Sequence, residues 1–155
     1  MRDVKHLLRK AYIEKLAGVN YNQQLFPIYE EVYNKTKPRL NLLANPAGYM
    51  YGIIGTQTVD DASSKCSVNQ NISIQLDIVS QYAQDGGTSL DAELVTNLCF
   101  DKLYDNGDDK INIEIPNYNI WRAYLLSSRI IHEEYANYRV FRNVLIFNHS
   151  IQQLN

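Results

Sequence analysis

Cysteine is scarce: Cys66 and Cys99 are the only two. Two lone cysteines without a secretory leader fit free thiols in a reducing compartment, not a disulfide scaffold. The opening stretch, MRDVKHLLRKAYIEKL, is too charged for a secretory hydrophobic region. No run nears the ~18 apolar residues that a membrane helix needs. The expectation is therefore a protein made and used in a cytoplasm, or in something assembled there, with no membrane partner. A strong charge of one sign is also missing. The 15 Lys and Arg against 17 Asp and Glu give a formal net charge of −2. A general nucleic-acid binder normally carries a marked basic excess, so that class is disfavoured.

Recognisable catalytic and ligand motifs are missing as well. His6, His132 and His149 do not stand in a metal-ligand spacing with another His, Cys or carboxylate. His132 and Glu133 are neighbours on a predicted strand and face opposite ways, so they cannot share a metal there. There is no phosphate loop or dinucleotide fingerprint; Gly86-Gly87 precedes a predicted helix without a lysine or a third spaced glycine. No serine sits in a nucleophile elbow. The Asp60-Asp61 pair falls in a polar hairpin tip, where a solvated or interface role outweighs acid–base work. Trp121 reads as a core or subunit-contact aromatic ahead of a base-stacking platform. No cofactor, metal or catalytic residue is expected.

What is present is enough for one domain over residues 1–155. Hydrophobic residues make up 45% and charged residues 21%, values that permit a core without staples. The organising stretch is Val68–Tyr82, in which Ile72, Ile74, Leu76 and Ile78 alternate with Ser73, Gln75 and Asp77. This period of two predicts a strand with four branched side chains on one face, worth roughly 6–12 kcal/mol gross when buried. A one-residue slip would turn all four to water, so this strand should fix its neighbours' register.

Around it, Asp3–Ala17 predicts an amphipathic helix with Val4, Leu7, Leu8, Ala11, Tyr12 and Leu16 on one stripe. Leu25–Tyr33 predicts a short extended segment and Lys37–Ala47 a turn or ordered loop. Tyr49–Thr58 predicts the strand before the central one. Thr88 or Ser89 should cap a helix whose stripe is Leu90, Leu94, Val95, Leu98 and Leu103, with Cys99 beside it as a small buried hydrophobe. Ile111–Ile115 predicts a short strand or extended link. Trp121–Glu133 predicts a strand broken near Ser127 and Ser128, and Tyr138–Ile151 the last strand. That strand is apolar on both faces, so it should be covered on both sides, by helices or by another subunit. The fold class is α+β: a mostly antiparallel sheet with helices packed on one face.

A fully extended Val68–Tyr82 spans about 50 Å, whereas a compact body of this chain length is only about 40 Å across. A projecting β-hairpin arm follows, with Gln57–Ser67 at its tip, and such an arm adds naturally to a neighbour's sheet. Twelve tyrosines against four phenylalanines also fit surfaces buried against protein. Charge is uneven along the chain. Arg2, Lys5, Arg9, Lys10 and Lys15 cluster at one end, while Asp101, Asp105, Asp108, Asp109 and Glu114 cluster later. Two solvated faces fit this spread, as does a contact between the two clusters within one molecule or between copies.

The order of these pieces resembles a known family. A basic helix (DVKHLLRKAYIEKL) leads to an edge segment (LFPIYEEVYN), then to a strand with a Thr-rich polar arm (YMYGIIGTQTVDD). The ISIQLDIVSQY strand, the SLDAELVTNLCFDKLY helix and the closing YLLSSRIIHEEYANYRVFRNVLIFN hairpin follow. The pattern is similar to the tail terminator, or tail-completion, proteins of tailed bacteriophages and the head–tail connector ring proteins that share their fold. The proline-bearing loop at Lys37–Ala47 and the long link at Asn106–Tyr118 depart from it. The resemblance implies a non-enzymatic virion protein at the neck or tail. It would form a closed ring, a hexamer or dodecamer, against portal or connector and tail proteins, with DNA passing through the lumen without sequence-specific binding. In that setting Gln57, Asp60, Asp61 and Lys65 would reach the next subunit, and Arg2, Lys5 and Arg9 would meet an acidic surface near residues 105–109. Two other classes fit the residues: a small ligand-binding or enzymatic α+β domain, and a different oligomeric assembly factor.

Overall fold

The computed structural model describes residues 4–30, 39–42, 48–83, 86–107 and 109–154. Its elements are α1 (Lys5–Leu16), β1 (Asn20–Tyr21), β2 (Gln24–Leu25), β3 (Ile28–Tyr29), β4 (Leu40–Leu42), β5 (Gly48–Asp61), β6 (Asn69–Ala83), α2 (Leu90–Leu103), β7 (Tyr118–Glu134) and β8 (Tyr138–Gln153). The main sheet runs β3–β5–β6–β8–β7, with β4 also on β5. All its pairings are antiparallel except β3 on β5, which is parallel. The result is an α+β fold with both helices on one face of the sheet.

β6 does organise the sheet. Ile72, Ile74, Leu76 and Ile78 are fully buried against the helices. They pack with Val4, Leu8, Tyr12 and Leu16 of α1, with Val95, Cys99 and Leu103 of α2, and with Leu145, Phe147 and Ile151 of β8. β6 is paired with β8 from Asn69↔Gln152 to Ala83↔Tyr138, and with β5 from Asp61↔Gln70 to Gly48↔Tyr82. Both edges of β6 are thus satisfied within the chain over nearly its whole length. Only the turn at Ala62–Val68 runs on past the last β5–β6 pair. The expected outrunning of the body assumed a round body; four strands of 14–17 residues instead make the sheet itself as long as the ribbon.

Some local expectations are corrected. In α2 the buried side is Ala92, Val95, Thr96, Cys99 and Leu103, while Leu90 and Leu94 are exposed. The helix turns its small residues to the sheet because Thr96 bridges to it: Asn143 Nδ2 donates to Thr96 Oγ1 at 2.8 Å, and that hydroxyl donates to Ala92 O at 2.7 Å. Ser89 makes no side-chain cap; Thr88 Oγ1 accepts from Leu90 N at 3.1 Å instead. Within the predicted loop at 37–47, Leu40–Leu42 forms a strand on Met50–Gly48 that buries both leucines; the rest of that loop lies outside the described residues, save Arg39. A small hairpin joins β1 to β2 through Asn22 (φ 50°) and Gln23 (φ 63°), the left-handed pair that a tight I′-type turn requires. Gly87 has φ 84° and presses on the Tyr82 ring, where any Cβ would collide. Ile111, Ile113 and Ile115 are buried in an extended link without strand pairing beyond one bridge, Ile115↔Tyr118.

Candidate assembly surface

The two ends of the sheet order leave open strand edges. β7 pairs with β8 on one side. On its other side Ile111 N donates to Ala123 O at 3.3 Å, and Lys110 Nζ donates to Ile120 O. Beyond Ala123, no strand among the described residues pairs with that edge, so Tyr124–Glu134 presents backbone donors and acceptors outward. At the opposite side, β3 and β4 pair with Gly48–Ile53 of β5, and Ile54–Asp61 has no strand partner on its outer edge among the described residues.

The β7 edge is unusually apolar for one that faces water. Trp121 and Leu126 are each 56% exposed, Ile130 46% and Tyr135, just past the strand, 48%. Register shifts fall between Ile120 and Arg122 and between Leu125 and Ser127, so Trp121 and Leu126 are the two residues left out of the pairing. A bulge re-aims its extra side chain, and here both bulges offer a large apolar one to the outside. Natural edges are usually blunted by proline, brevity or charge; β7 has 17 residues and no proline, and its charges, Arg122, Arg129, Glu133 and Glu134, leave Trp121, Leu126 and Ile130 exposed.

The face of the sheet away from the helices is polar at its centre. Arg142 NH2 lies 2.5 Å from Asp77 Oδ2 and its NH1 lies 3.6 Å from Glu133, while Gln75 Nε2 donates to Asp77 at 2.8 Å. The Asp77 hydrogen bond raises the guanidinium pKa further. Val79 and Val140 are buried beside this network, but among the described residues no helix covers the face. Among the described residues, the predicted covering of β8 on both sides is met on one side only.

Of the residues expected at a subunit contact, Asp60, Asp61 and Lys65 are exposed together at the β5–β6 turn. The Asp61 carboxyl accepts from Ser63 N at 2.9 Å, and the bonds from Ser63 hold its pKa below the usual range. Gln57 sits in β5 at a register shift, but its side chain and all of Arg2 lie outside the described residues. Lys5 opens α1. Arg9 is half-buried, donates to Thr56 Oγ1 at 2.6 Å and lies 4.0 Å from Glu30, so it serves its own subunit. The basic and acidic clusters do touch within one molecule: Lys15 Nζ is 2.5 Å from Asp105 Oδ2, which depresses the Asp105 carboxyl. The apolar β7 edge was not among the expected contacts. Trp121 was read as a core or subunit-contact aromatic, and nothing local marks Leu126 or Ile130 as exposed.

The remaining polar groups act inside the fold. Cys99 is buried and its thiol is pushed up to about 12 by burial, which leaves it protonated and unreactive. His149 is fully buried; its Nδ1 lies 3.0 Å from Ile72 O, so that nitrogen carries the proton and Nε2 accepts from Tyr12 OH at 2.5 Å. Burial lowers the His149 pKa to about 4. Asp91 accepts from Tyr21 OH at 2.5 Å and from Tyr82 OH, tying the β1–β2 hairpin and β6 to the start of α2. Burial first, and then this carboxylate, push Tyr21 up to about 12. No group of three or more metal-ligating side chains occurs among the described residues. An open, polar cleft of about 730 Å³ lies between α1 and the 110–120 segment, lined by Glu14, Lys110, Asn112, Glu114 and Asn119. No helix among the described residues is long and apolar enough to cross a membrane.

No protein-family model and no curated protein matches the chain. Among solved structures it is similar to a chain from the virion of a native gene transfer agent (GTA) particle, with a TM-score of 0.65 and 15% sequence identity. The superposition covers 94% of this chain and 94% of that one. The likeness shows that the two share a fold over nearly their whole lengths.

Proposed function

We propose that this chain is a structural protein of a bacteriophage-type virion, placed at the neck or tail as a head–tail connector or tail terminator. It forms a closed ring, hexameric or dodecameric, between portal or connector and tail proteins. DNA passes through the lumen, and the role is non-enzymatic. Assembly takes place in the host bacterial cytoplasm. The observation that carries the reading is the fold shared end to end with a chain of the GTA virion. A 17-residue edge strand that leaves three large apolar side chains in water supports it, because such an edge invites another chain to cover it. The absence of a basic excess suits a channel that must let DNA slide. The 730 Å³ cleft supports the second reading, a small ligand-binding domain. Negative-stain imaging of purified particles, labelled for this chain, separates the two. Label at the neck or tail end supports the ring role; particles that lack the chain, together with ligand-dependent melting of the purified protein, contradict it.

A further inference from the structure

The ring reading leaves open which surfaces join one subunit to the next, and the sheet carries its own answer. β5 is antiparallel to β6, β6 to β8 and β8 to β7, so the two outermost long strands run opposite ways. A second copy set beside the first by rotation therefore brings its β5 alongside β7 in antiparallel sense, and the sheet continues without reversal. Such a contact is head-to-tail and repeats until it closes.

Resting on that reading, we propose that the β7 edge, Tyr124–Glu134, hydrogen-bonds to the β5 edge, Ile54–Asp61, of a second copy, both edges being without a strand partner among the described residues. Charge on the two edges is complementary. Arg122 stands across from Ser150, Ser150 from Asn71, and Asn71 from Asp60. Arg122 and Asp60 thus end the same row of the sheet, on the face away from the helices. Edge-to-edge placement without sliding would set Asp60 of the next copy at Arg122, where the 110–111 link already lies along the β7 edge. Strands tilted to the ring axis enter with a stagger, which moves Asp60 along β7 toward Arg129 on the same face. Neither arginine has a carboxylate partner among the described residues; Arg122 lies only over the Tyr124 ring, at 4.6 Å.

Gly55 adds a steric argument. A Cβ there would meet no heavy atom of the described residues within 4 Å, so their packing does not require glycine. At Gly52, three residues earlier, a Cβ would press on Phe26 and Ile28 at 3.1 Å. A glycine that no described neighbour requires, on a strand edge unpaired among the described residues, is what a second backbone approaching closely would select. Leu126 and Ile130 then pass from water into the contact.

The test is a complementation of blocked edges. One variant carries Leu126→Lys and Ile130→Lys; the other carries Gly55→Lys and Asp60→Lys. These sites are exposed or have open space, and circular dichroism and amide exchange check that each variant folds. Light scattering is expected to give a higher assembly for the native chain and 17.9 kDa for each variant alone. An equimolar mixture should give twice that mass and stop there, since only one intact edge of each kind remains. Native-like assembly of both variants overturns the edge pairing and leaves the ring intact. A dimer from either variant alone shows symmetric pairing and overturns the head-to-tail contact. A native chain that stays at 17.9 kDa at all concentrations overturns the pairing and the self-assembling ring together.

Discussion

Acid should loosen this fold through one residue, His149. Its ring is fully buried between Tyr12 and the Ile72 carbonyl, and burial keeps it neutral there, with Nδ1–H donating and Nε2 accepting. The folded-state pKa is about 4, against 6.5 for an exposed imidazole. Between those values the unfolded chain binds a proton that the folded chain refuses, so stability falls as pH drops from 6.5 to 4 and this group contributes no slope above 6.5. The displacement corresponds to roughly 3 kcal/mol, a large part of a small domain's net stability. Urea unfolding of the native chain and of His149→Gln, at dilutions where both are monomeric, isolates the effect. The carboxyls depressed by Ser63 and by Lys15, on Asp61 and Asp105, titrate alike in both proteins and cancel. From pH 7 to pH 4 the native chain should lose roughly 3 kcal/mol more than the glutamine variant. Parallel curves, or an imidazole resonance of His149 that titrates near 6.5 in the folded protein, would refute the buried neutral pair.

Three further perturbations follow from the same geometry. Asp91→Ala removes the acceptor shared by Tyr21 and Tyr82 and strands a buried phenol, which should cost roughly 2–4 kcal/mol in urea unfolding; an unchanged midpoint would mean the tyrosines find other partners. Gly87→Ala forces a Cβ into the Tyr82 ring at φ 84°, with an expected loss of roughly 1–3 kcal/mol, and its effect should be non-additive with Asp91→Ala because both act on Tyr82. Deleting Asp60–Lys65 shortens the β5–β6 turn and removes the acidic end of the β5 edge; circular dichroism should remain native while the assembled species disappears, and a deletion mutant at full assembled mass would count against a role for this end in subunit contact.

The sheet's centre was legible because a strict alternation of branched and polar residues leaves one choice of face, and Ile72–Ile78 obey it. The break in β7 was legible from Ser127-Ser128, next to the bulge at Leu126. The face of α2 was legible in part: Val95, Cys99 and Leu103 are buried as their spacing implies, but the Thr96–Asn143 hydrogen bond and the closeness of β6 and β8 bring in Ala92 and Thr96 and leave Leu90 and Leu94 exposed. The β1–β2 hairpin escaped notice because Asn22-Gln23 lacks the glycine that usually marks such a turn. For the assembly surface, Asp60, Asp61 and Lys65 are indeed exposed at a turn, whereas the Lys15–Asp105 contact joins residues 90 apart and needs the fold to be seen. The open β7 edge depends on strand order, and no local pattern within Tyr118–Glu134 distinguishes an edge strand from a central one.

If this chain closes a ring with copies of itself, its mass in solution must show it. Light scattering on purified residues 1–155, over a wide concentration range, measures that mass. A hexameric or dodecameric multiple of 17.9 kDa, seen as rings in negative stain, is the predicted result. A chain fixed at monomer or dimer mass, with a melting temperature that rises on adding a small ligand, would contradict it.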